Sequence, residues 1–219
     1  MAQTTTARYQ DRRERIVRLA ARVFAEKGYH EATMRDIARA ARSSLAGLYY
    51  YFPSKEEILF AISVRALDTV IAGALACRNG EHTPGERLRA FVANHLAYFA
   101  AHLTEMKVLS RESDALTGAH RREIQERKRV YVAIATEIVG GLRTAPAPAP
   151  RLAALSLFGM MNWIYTWYRT PGGEETQAGE APPIDEIAGL MSEIFLNGFL
   201  AADMAAGGVI TTTSEKGQS

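Results

Sequence analysis

Residues 33–55, TMRDIARAARSSLAGLYYYFPSK, predict two short helices joined by a tight turn. Thr33 is followed three residues later by Asp36, a pattern typical of a capping box at the start of a helix. Ser44 is an N-cap candidate for the second helix, and Pro53 ends it. A unit of this kind places its second helix in the major groove of DNA. The segment therefore predicts a helix-turn-helix.

The second helix of this unit has one side that we expect to be buried and one that we expect to be exposed. Leu48 and Phe52 are spaced to face inward, and the small and aromatic groups opposite them fit a major groove about 12 Å wide. Lys55 begins the next helix, where its charge and the free amides predict a phosphate contact. The predicted DNA-binding residues are Thr33, Arg35, Arg42, Ser43, Ser44, Leu45, Ala46, Tyr49, Tyr50 and Lys55.

The longer segment RERIVRLAARVFAEKGYHEATMRDIARAARSSLAGLYYYFPSKEEIL resembles the N-terminal domain of the TetR/AcrR family of transcriptional regulators. The similarity covers roughly residues 12–60 and is concentrated in the first helix, in RDIA and in LYYYFPSKE. The family usually places Gly and an aliphatic residue in the turn, where this chain has Arg42 and Ser43. Either Arg42 adopts a left-handed conformation strained by about 1–2 kcal/mol, or the turn is shifted.

Length, composition and charge set limits on the rest. A chain of 219 residues, 47% of them hydrophobic, is long enough for one small and one larger domain. It has one cysteine, Cys77, which excludes an intrachain disulfide. No apolar run reaches the roughly 18 residues that are needed to span a bilayer. The N-terminus lacks the apolar centre of a secretory signal. We therefore predict a cytoplasmic protein. Residues 1–60 carry a net charge of +4, which suits a phosphate-binding domain.

The apolar periodicity predicts an all-α fold of about nine helices and no sheet. We expect a helix-turn-helix head at residues 1–53, ordered from about residue 8, with Arg8 and Arg12 near DNA. A ligand-binding and dimerisation body follows at 54–204, and a disordered tail at 205–219. A Pro-Ala connector, TAPAPAP, covers residues 144–150. The clearest predicted helices cover residues 11–27, 54–77, 84–101, 105–115, 118–143, 150–169 and 184–204.

The helices at 150–169 and 184–204 are apolar on more sides than a single surface helix requires. We therefore predict a two-fold homodimer, in which these helices and their copies form a four-helix bundle. Two heads held in this way would read the two half-sites of a palindromic operator in double-stranded DNA.

Residues 159–173, GMMNWIYTWYRTPGG, place Trp163 and Trp167 on one helix face, either as core or interface or as the wall of an apolar ligand cavity. In the second case Asn162 and Thr166 are suited to hydrogen-bond a carbonyl group of the ligand. The segment resembles the C-terminal domains of a TetR subgroup that responds to acyl-CoA thioesters. The resemblance implies that cationic side chains bind the phosphates of the CoA. The predicted ligand-binding residues are Phe99, Met160, Asn162, Trp163, Thr166, Trp167, Arg121, Arg122 and Lys128, with Arg111, Arg127 and Arg129 as further cations.

The cationic run at 121–129 has a plainer interpretation as a solvated helix face balanced by Glu123 and Glu126. The preferred function is a repressor released from DNA by a small hydrophobic effector, with an acyl-CoA favoured. The alternative is an efflux-pump repressor that senses lipophilic drugs. An enzyme is disfavoured because no nucleophile elbow, phosphate loop or metal triad is found. No cofactor is predicted, and His95 and His102, seven residues apart without a third ligand, predict no metal site.

Overall fold

The computed structural model describes residues 2–80, 82–142, 149–168 and 182–207, with side chains described between residues 6 and 198 of those ranges. Within them the chain forms nine α-helices and no strand, so the all-α prediction is confirmed. The helices are α1 (Ala2–Lys27), α2 (Met34–Ala40), α3 (Leu45–Tyr51), α4 (Lys55–Asn79), α5 (Pro84–Ala101), α6 (Leu103–Glu112), α7 (Gly118–Gly140), α8 (Pro150–Asn162) and α9 (Ile184–Gly207). Two 3-10 turns, Ser113–Ala115 and Trp163–Thr166, follow α6 and α8.

The head consists of α1, α2 and α3 packed around a small core. The side chains of this core are no more than 1% exposed: Ile16, Ala20, Phe24, Ile37, Leu48 and Phe52. Gly28, at φ +81°, ends α1. α1 begins at Ala2, earlier than the predicted start of the first helix at residue 11. No Gly or Pro lies between Ala2 and Asp11, and Tyr9 within this part of α1 packs on α3.

α4 joins the head to the body, and it packs against α7, α5, α6 and α1. Contrary to the sequence prediction, its length and composition would allow it to cross a membrane. Packing inside the protein accounts for that composition, since Ile58, Leu59, Ile62 and Ala66 are almost completely buried.

In the body, α7 packs on α4 and α8, and α9 packs on α5. α8 ends at Asn162 and not near residue 169, because the backbone tightens there into a 3-10 turn. α9 continues to Gly207, three residues into the predicted tail. Most of the predicted connector, the loop after the 3-10 turn and the remaining tail lie outside the described residues.

Candidate nucleic-acid interface and ligand cavity

The turn between α2 and α3 is closed by a Schellman motif. The amide of Ser43 donates to the carbonyl of Ala38 at 2.9 Å, and the amide of Arg42 donates to that of Arg39 at 3.1 Å. Arg42 has φ +49°, the left-handed conformation that normally favours Gly. The first of the two alternatives is therefore confirmed: the turn is not shifted, and Arg42 carries the strain.

Both helices of the unit are capped as the sequence predicts. Thr33 and Asp36 form a complete capping box at α2, and the Ser44 hydroxyl accepts from the Gly47 amide at α3. The Lys27 ammonium, 2.7 Å from the Asp36 carboxylate, and then Thr33 hold the pKa of Asp36 well below its ordinary value. At α4 the Ser54 hydroxyl accepts from the Glu57 amide, without a reciprocal bond from the Glu57 carboxylate. The Thr33–Asp36 box thus fixes where α2 starts, and the Ser44 cap fixes where α3 starts.

α3 presents the predicted outward face. Tyr50 is 73% exposed and Tyr49 is 47% exposed, whereas Leu48 on the opposite side is fully buried. Ser44 and Ala46 are exposed. Of the other predicted residues, Thr33, Arg35 and Arg42 are exposed, whereas Ser43 and Leu45 are half-buried. The face is thus small, aromatic and flanked by two arginines.

Lys55 is placed differently from its predicted role at a phosphate. Its Nζ donates to three main-chain carbonyls of the loop after α1, those of Tyr29 at 2.9 Å, His30 at 2.8 Å and Ala32 at 3.1 Å. The same atom lies 4.7 Å from the centroid of the Tyr29 ring. Since an ammonium group has three N–H donors, none is left for DNA in this conformation. Lys55 therefore ties α4 to the head.

The N-terminal half of α1 supports α3 from outside. The Tyr9 ring stacks on Tyr51 at 4.9 Å and meets Tyr50 edge-on at 5.9 Å. Arg12, predicted near DNA, donates to the carbonyl of Ala41 at 3.3 Å and so covers the end of α2. These partners lie 29 to 42 residues away in sequence, which is why the local pattern did not indicate them.

The body encloses a cavity of about 480 Å³ between α4, α5, α6, α7, α8 and the 3-10 turn after α8. Aliphatic and aromatic side chains dominate its wall, and a few polar groups interrupt them. The lining residues are Leu67, Val70, His95, Phe99, Met106, Leu109, Ser110, Lys128, Tyr131, Val132, Leu155, Phe158, Gly159, Asn162, Trp163 and Tyr165. A volume of this size is in the usual range for a small-molecule site.

Four of the predicted ligand-binding residues line this cavity: Phe99, Asn162, Trp163 and Lys128. Met160, Thr166 and Trp167 do not, which corrects their predicted placement. A 3-10 turn has three residues per turn, so positions i and i+4 no longer share a face. The Thr166 hydroxyl instead donates to the carbonyl of Trp163 at 2.7 Å, and Trp167 is 45% exposed.

The predicted cations are also divided. Lys128 borders the cavity and donates to the Ser113 hydroxyl at 2.8 Å, and Arg111 stacks over Tyr165 at 5.3 Å. Arg121 does not line the cavity. Arg122 lies with Arg127 and Arg129 at a separate surface groove. Asp68 and Glu123 neutralise Arg127 there, as the plainer interpretation of this run expects.

The sequence reasoning missed the central polar pair of the cavity, His95 and Tyr131. His95 Nδ1 lies 2.8 Å from the Tyr131 hydroxyl, and the imidazole stacks on Phe99 at 4.4 Å. Burial lowers the pKa of His95 to about 3, against a smaller opposing effect of Asn162, so the ring is neutral. The available signal was a histidine on the buried stripe of α5.

α6 and the start of α4 connect this cavity to the head. Met106 and Leu109 of α6 line the cavity, while Lys107, between them, donates to the carbonyl of Ala25 near the end of α1 at 3.1 Å. In α4, Glu56 follows Lys55 and accepts two 2.8 Å hydrogen bonds from Thr117, at the start of α7. Adjacent residues of α4 therefore hold the head and the body.

α8 and α9 expose a large apolar surface. Leu152 of α8 is 65% exposed and Trp163, in the 3-10 turn after it, is 63% exposed, while Leu190 and Ile194 of α9 are 62% and 55% exposed. Leu155 adds to the same face of α8. Exposed apolar patches of this kind commonly mark protein interfaces.

Comparison with known proteins gives matches over both parts of the chain. Residues 16–62 match the family described as bacterial regulatory proteins, tetR family, and residues 81–199 match the tetracyclin repressor-like C-terminal domain. The chain is 40% identical over 60 residues to the HTH-type transcriptional regulator HbdR of Aromatoleum sp. (strain CIB), which is 27% of this chain and 26% of that protein. It is 30% identical over 123 residues to the HTH-type transcriptional repressor KstR2 of Mycobacterium tuberculosis, 53% of this chain and 62% of that protein. Both alignments thus span less than two thirds of these relatives.

The chain is also similar to solved structures over nearly their whole length. The crystal structure of AibR in complex with isovaleryl coenzyme A and operator DNA has a TM-score of 0.70 and 32% identity, and the match covers 84% of this chain and 97% of that one. Together with the two family matches, this likeness fits the capped helix-turn-helix and the helical body described above. The chain belongs to the TetR family of bacterial regulatory proteins.

Proposed function

We propose that this protein is a cytoplasmic, homodimeric transcriptional repressor that binds a palindromic operator and is released from it by a small hydrophobic ligand. The observation that carries the proposal is the double role of α6, which lines the cavity and holds the end of α1 through Lys107. A ligand that moves α6 changes the position of the head. It thereby changes the fit of two recognition helices to major grooves about 34 Å apart.

The recognition helix is α3. Tyr49, Tyr50 and Ala46 face the bases, and Arg35 and Arg42 face the phosphates. Tyr50→Ala is therefore expected to weaken operator binding more than binding to random DNA. Arg35→Ala is expected to weaken both alike and to reduce the salt dependence by about one phosphate contact. A filter-binding salt titration on both DNAs separates these roles, and identical behaviour of the two variants would contradict the division.

The dimer forms through the exposed apolar face of α8 and α9. A single Leu190→Glu substitution puts a charge into that face and is expected to shift the protein to monomer in sedimentation experiments. Asp185→Ala, on the same helix at a position that is already polar and exposed, is the matched control. A Leu190→Glu variant that remains dimeric would place the interface elsewhere.

An acyl-CoA thioester is the favoured ligand. The apolar cavity suits an acyl chain, Lys128 and Arg111 supply cations beside it, and the similar AibR was crystallised with isovaleryl coenzyme A. The test is a DNA-shift titration on the upstream region of the protein's own gene, with and without short-chain, long-chain and aromatic acyl-CoAs. Full DNA affinity in the presence of every one of them would contradict release by this ligand class.

A matched pair of variants tests how the CoA phosphates are bound. Lys128→Met is expected to weaken acyl-CoA binding roughly tenfold, since a charged partner is worth about 1.5–3 kcal/mol. Arg122→Met, with the same change of charge on the same helix but outside the cavity, leaves it unchanged. The placement of Arg121 and Arg122 away from the cavity favours a second candidate, a repressor that senses lipophilic drugs. Calorimetry with an apolar organic cation and an acyl-CoA distinguishes the two.

A further inference from the structure

The cavity contains one buried polar atom that the protein leaves without a partner. His95 is 1% exposed, and its Nε2 has no hydrogen-bond partner among the described residues. An unpaired polar group inside a protein costs about 1–3 kcal/mol, so one that persists at a cavity wall points to a missing partner. Asn162 lines the same cavity and lies close enough to the ring to raise the pKa of His95 slightly, but the two side chains do not meet hydrogen-bond geometry, so Nε2 stays without a partner in the described part of the chain.

The neighbouring tyrosine determines which hydrogen the imidazole carries. If the Tyr131 hydroxyl donates to Nδ1 across the 2.8 Å contact, both of those atoms are satisfied and the proton of the neutral ring is on Nε2. The other tautomer leaves the Tyr131 hydrogen and the Nε2 lone pair both without partners. The first arrangement has fewer unsatisfied groups and makes Nε2–H a hydrogen-bond donor at the cavity.

The charge around this donor restricts what it can bind. His95 is neutral, and the rings that surround it, those of Phe91, Phe99, Tyr131 and Phe158, carry no charge. A carboxylate placed at Nε2 would lose its hydration and would gain no charged partner from the groups that surround the ring. A carbonyl, amide or hydroxyl oxygen needs only one N–H donor.

We propose that the cavity selects ligands that carry an uncharged oxygen within an apolar body, and that His95 Nε2–H is the donor that recognises this oxygen. This inference rests on the proposed function only in placing the ligand inside the body. It deepens that function, since a thioester carbonyl belongs to this class of oxygen, whereas a purely hydrocarbon ligand or a free carboxylate does not.

The test uses two probes of the same shape, 4-phenyl-2-butanone and n-butylbenzene, which differ by one carbonyl oxygen. Calorimetry on the full-length protein gives the ratio of their dissociation constants in the wild type and in His95→Phe, which keeps an aromatic ring. The preference for the ketone is expected to fall roughly tenfold in the variant, as for one hydrogen bond. Ser110→Ala, which removes another polar group from the wall, is expected to keep it.

A second measurement does not depend on the variant being folded. In the wild-type protein, the nitrogen-15 shifts of the His95 ring are expected to show the Nε2–H tautomer. An Nδ1–H tautomer, an unchanged probe ratio in His95→Phe, or a wild type that binds neither probe would overturn the proposal. A ketone preference that persists when no acyl-CoA releases DNA would overturn the acyl-CoA assignment and leave this inference standing.

Discussion

In the head, the polar groups that hold α2 and α4 in place find partners within the head itself, whereas the body keeps the Nε2 of His95 unpaired beside a cavity. Lys55 gives all three of its donors to one loop, and Asp36 is held by Lys27 and Thr33. A domain satisfied in this way has one preferred shape. The body, in contrast, contains a buried polar atom that no described residue pairs with, and it is beside the cavity where we propose that a ligand binds.

The largest expected effect comes from removing the Lys55 clamp, by which we mean the three hydrogen bonds from the Lys55 ammonium to the carbonyls of Tyr29, His30 and Ala32. Lys55→Met keeps the aliphatic stem but leaves three carbonyls unpaired, and it is expected to destabilise the protein by about 2–3 kcal/mol, since hydrogen bonds to a charged group are the strong ones. Urea unfolding followed by circular dichroism measures this loss. Lys27→Met, which removes a more exposed pair with Asp36, is the control and is expected to cost less than about 1 kcal/mol.

The same variant distinguishes the clamp from the phosphate contact that the sequence predicts. A clamp changes stability and leaves the salt dependence of DNA binding unaltered. Unchanged stability together with a weaker salt dependence would mean that Lys55 leaves the loop when DNA arrives, and the contrast between head and body would then fail at this residue.

In the body, acid is expected to destabilise the fold through His95. Burial lowers its folded-state pKa to about 3, whereas the unfolded value is about 6.5. Between these values only the unfolded state binds the proton, so stability falls as the pH falls through this window. Going from pH 7 to pH 5 is expected to cost about 2 kcal/mol from this residue. Comparison of unfolding at both pH values with His95→Phe isolates the effect, and equal pH dependence in both proteins would contradict it.

The local signals in the sequence predicted much of the head. Thr33 and Ser44 each cap the helix they were expected to cap, because an N-cap and its target amide lie within three residues of each other. Gly28 and the Arg42 turn follow from the same kind of short-range geometry. Near-uniform helical periodicity likewise gave the all-α class and the exact bounds of α5.

The cavity and the clamp depend on distant contacts. Lys55 meets carbonyls 23 to 26 residues earlier in the chain, and no local pattern encodes that meeting. The tightening of α8 into a 3-10 turn at Trp163 rotates Thr166 and Trp167 away from a face that simple α-helical spacing assigns to them. His95 lies on an ordinary buried stripe, and only the packing of α5 against α7 and α8 leaves its Nε2 buried without a partner.

A smaller effect on the head is expected from Tyr9→Ala. The substitution removes the ring that packs on Tyr50 and Tyr51, and aromatic pairs are worth about 0.5–1.5 kcal/mol each. Operator affinity is therefore expected to fall by about 1 kcal/mol, although Tyr9 need not touch DNA. Tyr9→Phe keeps both ring contacts and is expected to bind like the wild type. If Tyr9→Phe loses as much affinity, the hydroxyl and not the packing is what matters.

The smallest effect concerns the one strained position in the head, Arg42. Glycine adopts φ near +49° without strain, so Arg42→Gly is expected to be about 0.5–1 kcal/mol more stable than Arg42→Ala, after allowing for the larger entropy of glycine in the unfolded chain. Both variants lose the guanidinium, so any phosphate contact is lost equally, and their DNA affinities are expected to match. Thermal unfolding and a salt titration of the pair measure the two terms separately. Equal stability of the two variants would mean that the Schellman hydrogen bonds hold the turn and that Arg42 stores no strain. The head would then have neither a strained turn nor, among its described side chains, a buried polar atom without a partner, in contrast to the body.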